Sequence, residues 1–316
     1  MKAAVLHEHG EPPRIDEFDE PVEGDGHVLA HVTAAGINHL DLLKASGGFY
    51  TGPPPVPSVV GSDGVARLED GRRVFFDSTT GPYGSMAERT LVDEKSLLDV
   101  PDQVDDEVAA ALGNSGLAAW LALAWKAALE PGETVLVLGA TGAVGSVAVQ
   151  AAKTLGAGRV VAAARAGERL ERLRERGADA IVELDGEDDL PAALTAATGD
   201  GADVIVDPLW GEPALAAMQA AAHDARHVQI GHMAGTTLEL PATLVRSRGL
   251  QLLGFVVFDT PLELRRAAYT HLTRAAGRGE IEIDLERVPL EDVDEAWQRQ
   301  QEGPHTKLVV VPGPQP

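Results

Sequence analysis

ETVLVLGATGAVGSVAV, at residues 133–149, is the stretch that decides the fold of this chain. An apolar strand at 135–138 runs directly into glycines at positions 139, 142 and 145, and an apolar helical stretch begins at Val144. In such a junction the first glycine allows a sharp turn, the second lets the backbone approach a pyrophosphate, and the third lets the helix pack close to the sheet. The amide groups that open the helix then face the anion.

The junction therefore predicts a dinucleotide-binding turn, with its backbone supplied by Gly139, Ala140, Thr141, Gly142, Ala143, Val144 and Gly145. Position 140 is Ala and departs from the strict G-x-G-x-x-G pattern. The case for nucleotide binding therefore depends on the strands and helices around the motif. The alternative is a glycine-rich turn in an α/β domain that binds no nucleotide.

The residues that follow supply that context. Their pattern predicts a helix at 144–155, a strand at 159–163, a helix at 167–176 and strands at 180–183 and 204–207. Strands that alternate with helices favour an α/β fold with a parallel, doubly wound Rossmann sheet.

The end of the second strand bears on the choice of dinucleotide. An NAD site usually places a carboxylate there for the ribose hydroxyls, whereas an NADP site leaves space and positive charge for a 2′-phosphate. Here residues 163–167 read AARAG, with Arg165 at the strand end and Arg169 close behind. The pattern favours NADPH over NADH. The alternative is that these arginines belong to a solvated helix face and pair with neighbouring glutamates.

Composition excludes several classes of protein. A chain of 316 residues with 44% hydrophobic content is long enough for two domains. The absence of cysteine excludes disulfides and thiolate metal sites. The formal net charge of −23 repels nucleic acid and anionic membranes, so neither is expected as a partner. Residues 1–11 do not resemble a secretory leader, and no apolar run is long enough to span a bilayer, so we expect a cytoplasmic protein.

The part before the dinucleotide turn has a different pattern. Short strand-like runs are separated by Pro, Gly and acidic turns, and they lie at 3–6, 28–34, 64–68, 73–76 and 87–92. A connecting helix is predicted at about 105–125, helices at 262–276 and 290–301, and a last apolar strand at 308–311 that returns to this mostly-β domain. We therefore predict domains at 1–115 with 260–316 and at 116–259, with a substrate cleft between them.

Several segments together resemble a known family. They are Gly36-Ile37-Asn38-His39-Leu40-Asp41, Ser46-Gly47, Tyr50, Pro57, Gly61-Ser62-Asp63-Gly64, the dinucleotide turn, and Thr306-Lys307-Leu308-Val309-Val310. The chain is similar to the medium-chain dehydrogenase/reductase superfamily, in the zinc-independent quinone oxidoreductase branch related to zeta-crystallin. This resemblance implies a GroES-like fold for the first domain, NADPH as cofactor, and a homodimer in which residues 251–257 pair edge to edge.

The resemblance also bears on metal binding. Zinc members of that superfamily use a Cys, a Gly-His-Glu segment and a four-cysteine lobe, whereas this chain has Asn38 and His39 at the first site, Gly61-Ser62-Asp63 at the second, and no cysteine. Neither zinc site can be built in the usual way, so no metal is expected. A group of histidines at 223, 227 and 232 is interpreted as ordinary surface or core residues.

Site residues follow from the same resemblance. Asn38 and Tyr50 match positions that line the substrate cleft, where Asn38 would hold the nicotinamide ribose or the substrate oxygen and Tyr50 would donate to the developing oxyanion. Asn38 as a helix cap and Tyr50 as a packed loop aromatic are the alternatives. Additional cofactor contacts are expected at Ile230, Gly231, Phe255 and Lys307.

The sequence thus predicts an NADPH-dependent oxidoreductase that delivers hydride to a quinone or other activated carbonyl or alkene. One alternative is an enoyl or 2-alkenal reductase, which the same cleft would serve. Another is a non-catalytic NADPH-binding or sensor protein, because a Rossmann fold indicates binding rather than turnover.

Overall fold

The computed structural model describes residues 1–24, 26–49 and 52–313. Tyr50, one of the two predicted catalytic residues, lies outside the described residues. The chain divides into two compact units, Met1–Asn114 with Pro261–Pro316 and Ser115–Thr260. These bounds differ by one residue from the predicted ones, and the first unit is built from two separate segments of the chain.

In the described ranges, the strands are β1 (Lys2–Leu6), β2 (Arg14–Glu17), β3 (His27–Gly36), β4 (Ser58–Val59), β5 (Gly64–Arg67), β6 (Arg73–Phe76), β7 (Arg89–Asp93), β8 (Leu98–Asp99), β9 (Thr134–Leu138), β10 (Arg159–Ala164), β11 (Ala180–Glu183), β12 (Ala202–Asp207), β13 (Ala221–Gln229), β14 (Gln251–Gly254), β15 (Leu285–Pro289) and β16 (Lys307–Val311). The helices are α1 (His39–Ala45), α2 (Asp106–Leu112), α3 (Asn114–Leu121), α4 (Ala143–Thr154), α5 (Glu168–Arg172), α6 (Leu190–Thr198), α7 (Gly211–Gln219), α8 (Ala242–Arg248), α9 (Leu262–Gly277) and α10 (Val293–Glu302). Single 3₁₀ turns lie at Glu94–Ser96, Val257–Asp259 and Leu290–Asp292.

The first unit is organised around β3. This strand pairs antiparallel with β7 along its first half, with β5 along its second half, and with β16 at its end. The larger sheet runs in the order β15-β16-β3-β5-β6-β8, and a smaller sheet runs β2-β1-β4. Phe76, Met86 and Trp297 are buried in the same core as alternate residues of β3. The last strand returns to the β unit, which confirms the prediction from the sequence.

The second unit contains a six-stranded parallel sheet in the order β11-β10-β9-β12-β13-β14. The apolar side chains of β9, β10 and β12 are buried on both faces, as parallel strands between helices require. This order is that of a doubly wound Rossmann sheet, and it confirms the predicted fold class. It also places β9 beside β12, and the strand order reverses between these two strands.

The single helix predicted at 105–125 is wrong. The structure has α2 and α3 separated at Gly113, followed by a π-helical turn at Ala122–Lys126. A Cβ atom at Gly113 would lie 2.1 Å from Cε2 of Phe75, whose ring stacks on Tyr269 with a centroid distance of 4.6 Å. Because this contact comes from a strand far away in sequence, the local helical pattern does not indicate it.

Within the described ranges, no single helix combines the length and apolarity needed to cross a membrane. The bent pair Asp106–Leu112 and Asn114–Lys126 reaches both requirements only when taken together.

Candidate functional site

In the second unit, β9 and β12 end side by side at one edge of the parallel sheet. In open α/β sheets, ligands bind outside the carboxyl ends of the strands, where the strand order reverses. Here β9 is followed on one side by β10 and β11 and on the other side by β12, β13 and β14, so the reversal lies between β9 and β12. The predicted dinucleotide turn leaves β9 at this reversal point.

The turn itself is shaped by its glycines. Gly139 has φ +59°, a left-handed conformation that glycine adopts without strain. A Cβ atom at Gly145 would lie 2.4 Å from the carbonyl oxygen of Gly139 and 2.6 Å from Cα of Ala140. The missing side chain at 145 therefore lets α4 start directly against the end of β9.

The first turn of α4 offers hydrogen-bond donors to an anion. Gly142 is the N-cap residue, and no side chain caps the helix. Among the described residues, no group accepts a hydrogen bond from the amides of Ala143, Val144 or Gly145. The same turn contains no acidic residue, so its positive dipole end is not neutralised. This arrangement fits the pyrophosphate of a dinucleotide.

The end of β10 carries the predicted arginines. Arg165 and Arg169 are both exposed, the first directly after β10 and the second on α5. No carboxylate belongs to the strand end, but one reaches it from the neighbouring loop, since the amide of Ala166 donates to Oδ1 of Asp185 at 2.9 Å. Asp185 gives no signal in the sequence, because it follows β11 and only the pairing of β10 with β11 brings it to this loop.

The other predicted cofactor residues of this unit lie at the same edge of the sheet. The amide of Ile230 donates to the carbonyl of Asp207 at 2.8 Å, and a Cβ atom at Gly231 would lie 2.8 Å from the carbonyl oxygen of Pro208. The loops after β12 and β13 therefore touch. Phe255 is buried, and its ring lies edge-on to Trp125 with a centroid distance of 6.1 Å.

A buried carboxylate–imidazole pair joins β12 and β13 close to this edge of the sheet. Nε2 of His227 lies 2.8 Å from Oδ2 of Asp207, and both side chains are fully buried. The other oxygen of Asp207 accepts from the amides of Leu209 and Trp210, at 2.8 and 2.9 Å. His227 therefore has a structural partner on β12, whereas His223 is exposed and paired with Asp224. In this unit His227 is thus a core residue and His223 a surface residue.

The first unit contains a buried polar network around the predicted catalytic residue Asn38. Its Nδ2 atom donates to Oδ1 of Asp63 at 2.7 Å and to the carbonyl of Gly36 at 3.2 Å. Its Oδ1 atom accepts from Nζ of Lys307, which also donates to the carbonyl of Ile37 at 2.9 Å. Asn38 is also the N-cap residue of α1, the alternative considered above.

Burial sets the ionisation of this network. The surroundings together raise the pKa of Asp63 from 3.8 to about 6: removal from water is the main cause and the nearby Asp41 adds to it, whereas Lys307, Asn114 and Asn38 act against the rise. Burial also lowers the pKa of Lys307, while Asp63 and Asp41 act in the opposite direction. The ammonium group of Lys307 and the carboxyl of Asp63 therefore depend on each other inside the unit.

These contacts change the interpretation of two predicted residues. Lys307 was predicted to contact the cofactor, but its side chain is buried inside the first unit and its ammonium group serves Asn38 and Ile37, so the geometry supports a structural role. The amide of Asn38 is likewise occupied by protein groups, and a contact with substrate would have to replace one of them. Its geometry supports a positioning role.

A second branch of the network reaches a pocket. The carboxylate of Asp41 accepts from the backbone amide of Asn38 at 2.8 Å and from the hydroxyl of Ser62 at 2.7 Å. The ammonium group of Lys44 donates to the same hydroxyl at 2.9 Å. Lys44 and Ser62 line a pocket of about 310 Å³, whose other walls include Pro54, Val60 and further residues of the first unit.

The donor set around Asn38 does not fit a zinc ion. Asn38 and Ser62 supply neither thiolate nor imidazole, and the carboxylates of Asp41 and Asp63 are already hydrogen-bonded within the protein. An ammonium group, that of Lys307, lies among them. Within the described ranges, no group of three or more His, Asp or Glu side chains is placed to hold a metal.

The chain is similar to known proteins in sequence and in fold. The zinc-binding dehydrogenase family matches residues 143–273. The chain is 30% identical to quinone oxidoreductase-like protein 2 of Rattus norvegicus over 264 residues, which cover 80% of this chain and 74% of the rat protein. It is also 30% identical to a segment of a phenolphthiocerol/phthiocerol polyketide synthase of Mycobacterium tuberculosis, and it spans 15% of the length of that protein.

A solved structure extends the likeness to the whole fold. The quinone oxidoreductase from Thermus thermophilus is 32% identical, with a TM-score of 0.84 over 99% of this chain and 100% of that chain. That protein has also been solved in complex with NADPH. The first unit therefore corresponds to the GroES-like domain and the second to the Rossmann domain. The chain belongs to the medium-chain dehydrogenase/reductase superfamily, in its quinone oxidoreductase branch.

Proposed function

We propose that this chain is an NADPH-dependent reductase that transfers hydride to a quinone or to another activated carbonyl or alkene, without zinc. The observation that carries the proposal is the start of α4, where three backbone amides have no partner among the residues that the structure describes and glycines leave room for a pyrophosphate. The exposed Arg165 and Arg169 beyond β10 favour a 2′-phosphate over a plain ribose.

The chain itself contributes binding and orientation. When bound, NADPH supplies the hydride. The amides of Ala143 to Gly145 hold the pyrophosphate, and the touching loops after β12 and β13 fix the backbone of Ile230 and Gly231 at the same edge of the sheet. An activated carbonyl needs only hydrogen bonds to its oxygen as charge develops, so a metal is not required for this reaction. Most of the rate then comes from holding the reactants in place.

Reduction of an enoyl group or a 2-alkenal is the second candidate. The chain is also similar to a segment of a polyketide synthase, which is a protein outside the quinone oxidoreductases. This likeness supports the second candidate. NADH is the alternative cofactor, and the carboxylate of Asp185 at the Ala166 amide is the feature that favours it.

The test is to measure the oxidation of NADPH with benzoquinone, naphthoquinones, cyclohexenone and trans-2-hexenal, with NADH in parallel and with a chelator added. We expect chelator-insensitive oxidation of NADPH with quinones. Preference for cyclohexenone or the enal would identify an alkene reductase, and a Michaelis constant at least tenfold lower for NADH would refute the choice of cofactor. Tight NADPH binding without turnover on any acceptor would leave a sensor or binding protein.

We further propose that two copies associate through β14. This strand is the last of the sheet order, and Leu252 on it is 47% exposed. An edge strand presents unpaired backbone groups that a second copy can pair with, around a two-fold axis.

A further inference from the structure

The pocket of the first unit is mostly apolar with one charged corner. Its volume of about 310 Å³ lies at the lower end of the range of roughly 300–1,000 Å³ that is usual for small-molecule sites. Leu6, Pro54, Val59 and Val60 belong to its lining, and the polar groups include Lys44 and Ser62. An apolar molecule with one polar atom suits such a lining.

A chain of hydrogen bonds fixes the side chains at the charged corner of the pocket. Ser62 is buried, and its single hydroxyl proton goes to Asp41, so the hydroxyl oxygen accepts from the ammonium group of Lys44. Asp41 is itself held by the backbone amide of Asn38. Lys44 therefore has a defined position, although it is only half-buried and reaches the pocket.

The same ammonium group keeps donors to spare. In the part of the chain that the structure describes, the hydroxyl of Ser62 is its one hydrogen-bond acceptor, and the ring of Phe49 lies 5.9 Å away. An ammonium group carries three N–H donors, so two of them remain for a ligand in the pocket. A carbonyl oxygen is the complementary group, since it accepts hydrogen bonds and brings no positive charge.

We propose that this pocket is the acceptor site of the enzyme, and that Lys44 binds the carbonyl oxygen of a conjugated ketone or quinone and protonates it during reduction. The inference rests on the proposed function. Ser62 and Asp41 act as positioning residues that hold Lys44.

The proton balance follows from the reaction. With an enone, the hydride from NADPH forms a C–H bond at the β-carbon, and the electrons of the alkene move toward the carbonyl oxygen. An N–H bond of Lys44 then breaks, an O–H bond forms, and the electron pair of the N–H bond stays on the nitrogen. The enol product rearranges to the saturated ketone, and the neutral amine takes a proton from water.

The experiment compares Lys44→Met, Lys44→Arg and the control Lys95→Met, which makes the same change at an exposed lysine of the first unit outside the pocket lining. For each we measure kcat and KM with cyclohexenone and with menadione, together with the Kd for NADPH and the midpoint of thermal unfolding. We expect Lys44→Met to lower kcat for cyclohexenone by at least about 100-fold, the lower limit for a lost general acid. The Kd for NADPH should stay within about twofold, because the amides of α4 and the arginines after β10 that are proposed to hold the cofactor do not include Lys44.

The Lys44→Arg variant separates the binding of the carbonyl oxygen from its protonation. Its guanidinium keeps a positive charge for the carbonyl oxygen but does not give up a proton in proteins. We expect its KM for cyclohexenone to stay within about threefold of the wild type while kcat falls at least tenfold. It also serves as the test if Lys44→Met fails to fold, since it keeps a donor toward Ser62.

The possible outcomes separate the two proposals. If wild type and Lys95→Met reduce both acceptors and the two Lys44 variants keep kcat within threefold, the role of Lys44 is refuted and the proposed function stands. If the wild type binds NADPH but reduces no acceptor, the proposed function itself fails. Loss of kcat in the Lys44 variants alone, with the Kd for NADPH unchanged, supports the inference.

Discussion

Replacing Gly145 with alanine should separate stability from cofactor binding at the dinucleotide turn. The added Cβ atom would lie 2.4 Å from the carbonyl oxygen of Gly139 and 2.6 Å from Cα of Ala140. Contacts become ordinary only near 3.4 Å, so α4 would have to move away from β9 by about 1 Å. Both opposing atoms belong to the backbone, so no side-chain rotation can relieve the contact.

The expected cost can be stated in measurable terms. Overpacking of a close contact typically destabilises a protein by about 1–3 kcal/mol. For a unit of this size the midpoint of thermal unfolding falls by roughly 2–4 °C per kcal/mol, so the Gly145→Ala variant should unfold about 2–12 °C earlier. Calorimetry of the cofactor-free protein measures this, and the transition of the second unit is the one to follow.

Gly142→Ala is the matched control at the same turn. A Cβ atom at Gly142 would meet only the carbonyl oxygen of Gly139, at 3.3 Å, and the backbone there is extended with φ −78°. The unfolding free energy should change by no more than about 1 kcal/mol, the usual scale of an N-cap change. The new methyl group lies at the start of α4, where the pyrophosphate is expected, so the Kd for NADPH should rise at least tenfold. An unchanged unfolding midpoint for Gly145→Ala, or an unchanged Kd for Gly142→Ala, would refute this assignment of the two glycines.

Other predictions concern the first unit and the sheet edge. The pKa of Asp63 is raised, chiefly by burial, to about 6, so its contribution to stability is complete below pH 3.8 and is lost as the pH rises through 6; chemical denaturation should show the wild type losing stability relative to Asp63→Asn between about pH 4 and about pH 7, and parallel curves would contradict this. Leu252→Lys places a charge on the exposed edge of β14 and should convert a dimer to a monomer in light scattering at micromolar concentration; a monomeric wild type would exclude the proposed association. Tyr269→Phe removes the buried hydrogen bond to the carbonyl of Ala109, of 3.0 Å, and keeps the ring stacked on Phe75, so urea unfolding should show a loss of about 1–3 kcal/mol. A loss below about 0.3 kcal/mol would mean that water replaces the hydroxyl at no cost.

Local patterns in the sequence predicted the parts of the fold that depend on neighbouring residues. The dinucleotide turn, the strands of the Rossmann sheet and the return of the last strand all follow from the alternation of apolar runs and glycines. The break at Gly113 did not, because it depends on the ring of Phe75 packed from another strand. Periodicity carries no information about such long-range contacts.

The candidate site shows the same division. The glycines of the turn and the arginines were found from spacing; the glycines follow β9 where the strand order reverses, and the arginines follow the neighbouring β10. Asp185 was missed, since only the pairing of β10 with β11 brings its carboxylate to Ala166. Lys307 was assigned to the cofactor by resemblance, and only its burial with Asn38 reveals the structural role. Tyr50 lies outside the described residues, so its role stays a prediction.

The position of Lys307 also sets an order of events during synthesis. The second unit is one continuous segment, Ser115–Thr260, so all of its sheet is present once that segment has left the ribosome. The first unit lacks both the β16 partner of β3 and the ammonium group beside Asn38 until residue 307 has been translated. Domains generally fold as units during synthesis, with earlier segments first. Here the nucleotide-binding unit completes before the unit that precedes it in the chain, and a nascent chain that stalls before β16 leaves the carboxyl of Asp63 without its cation.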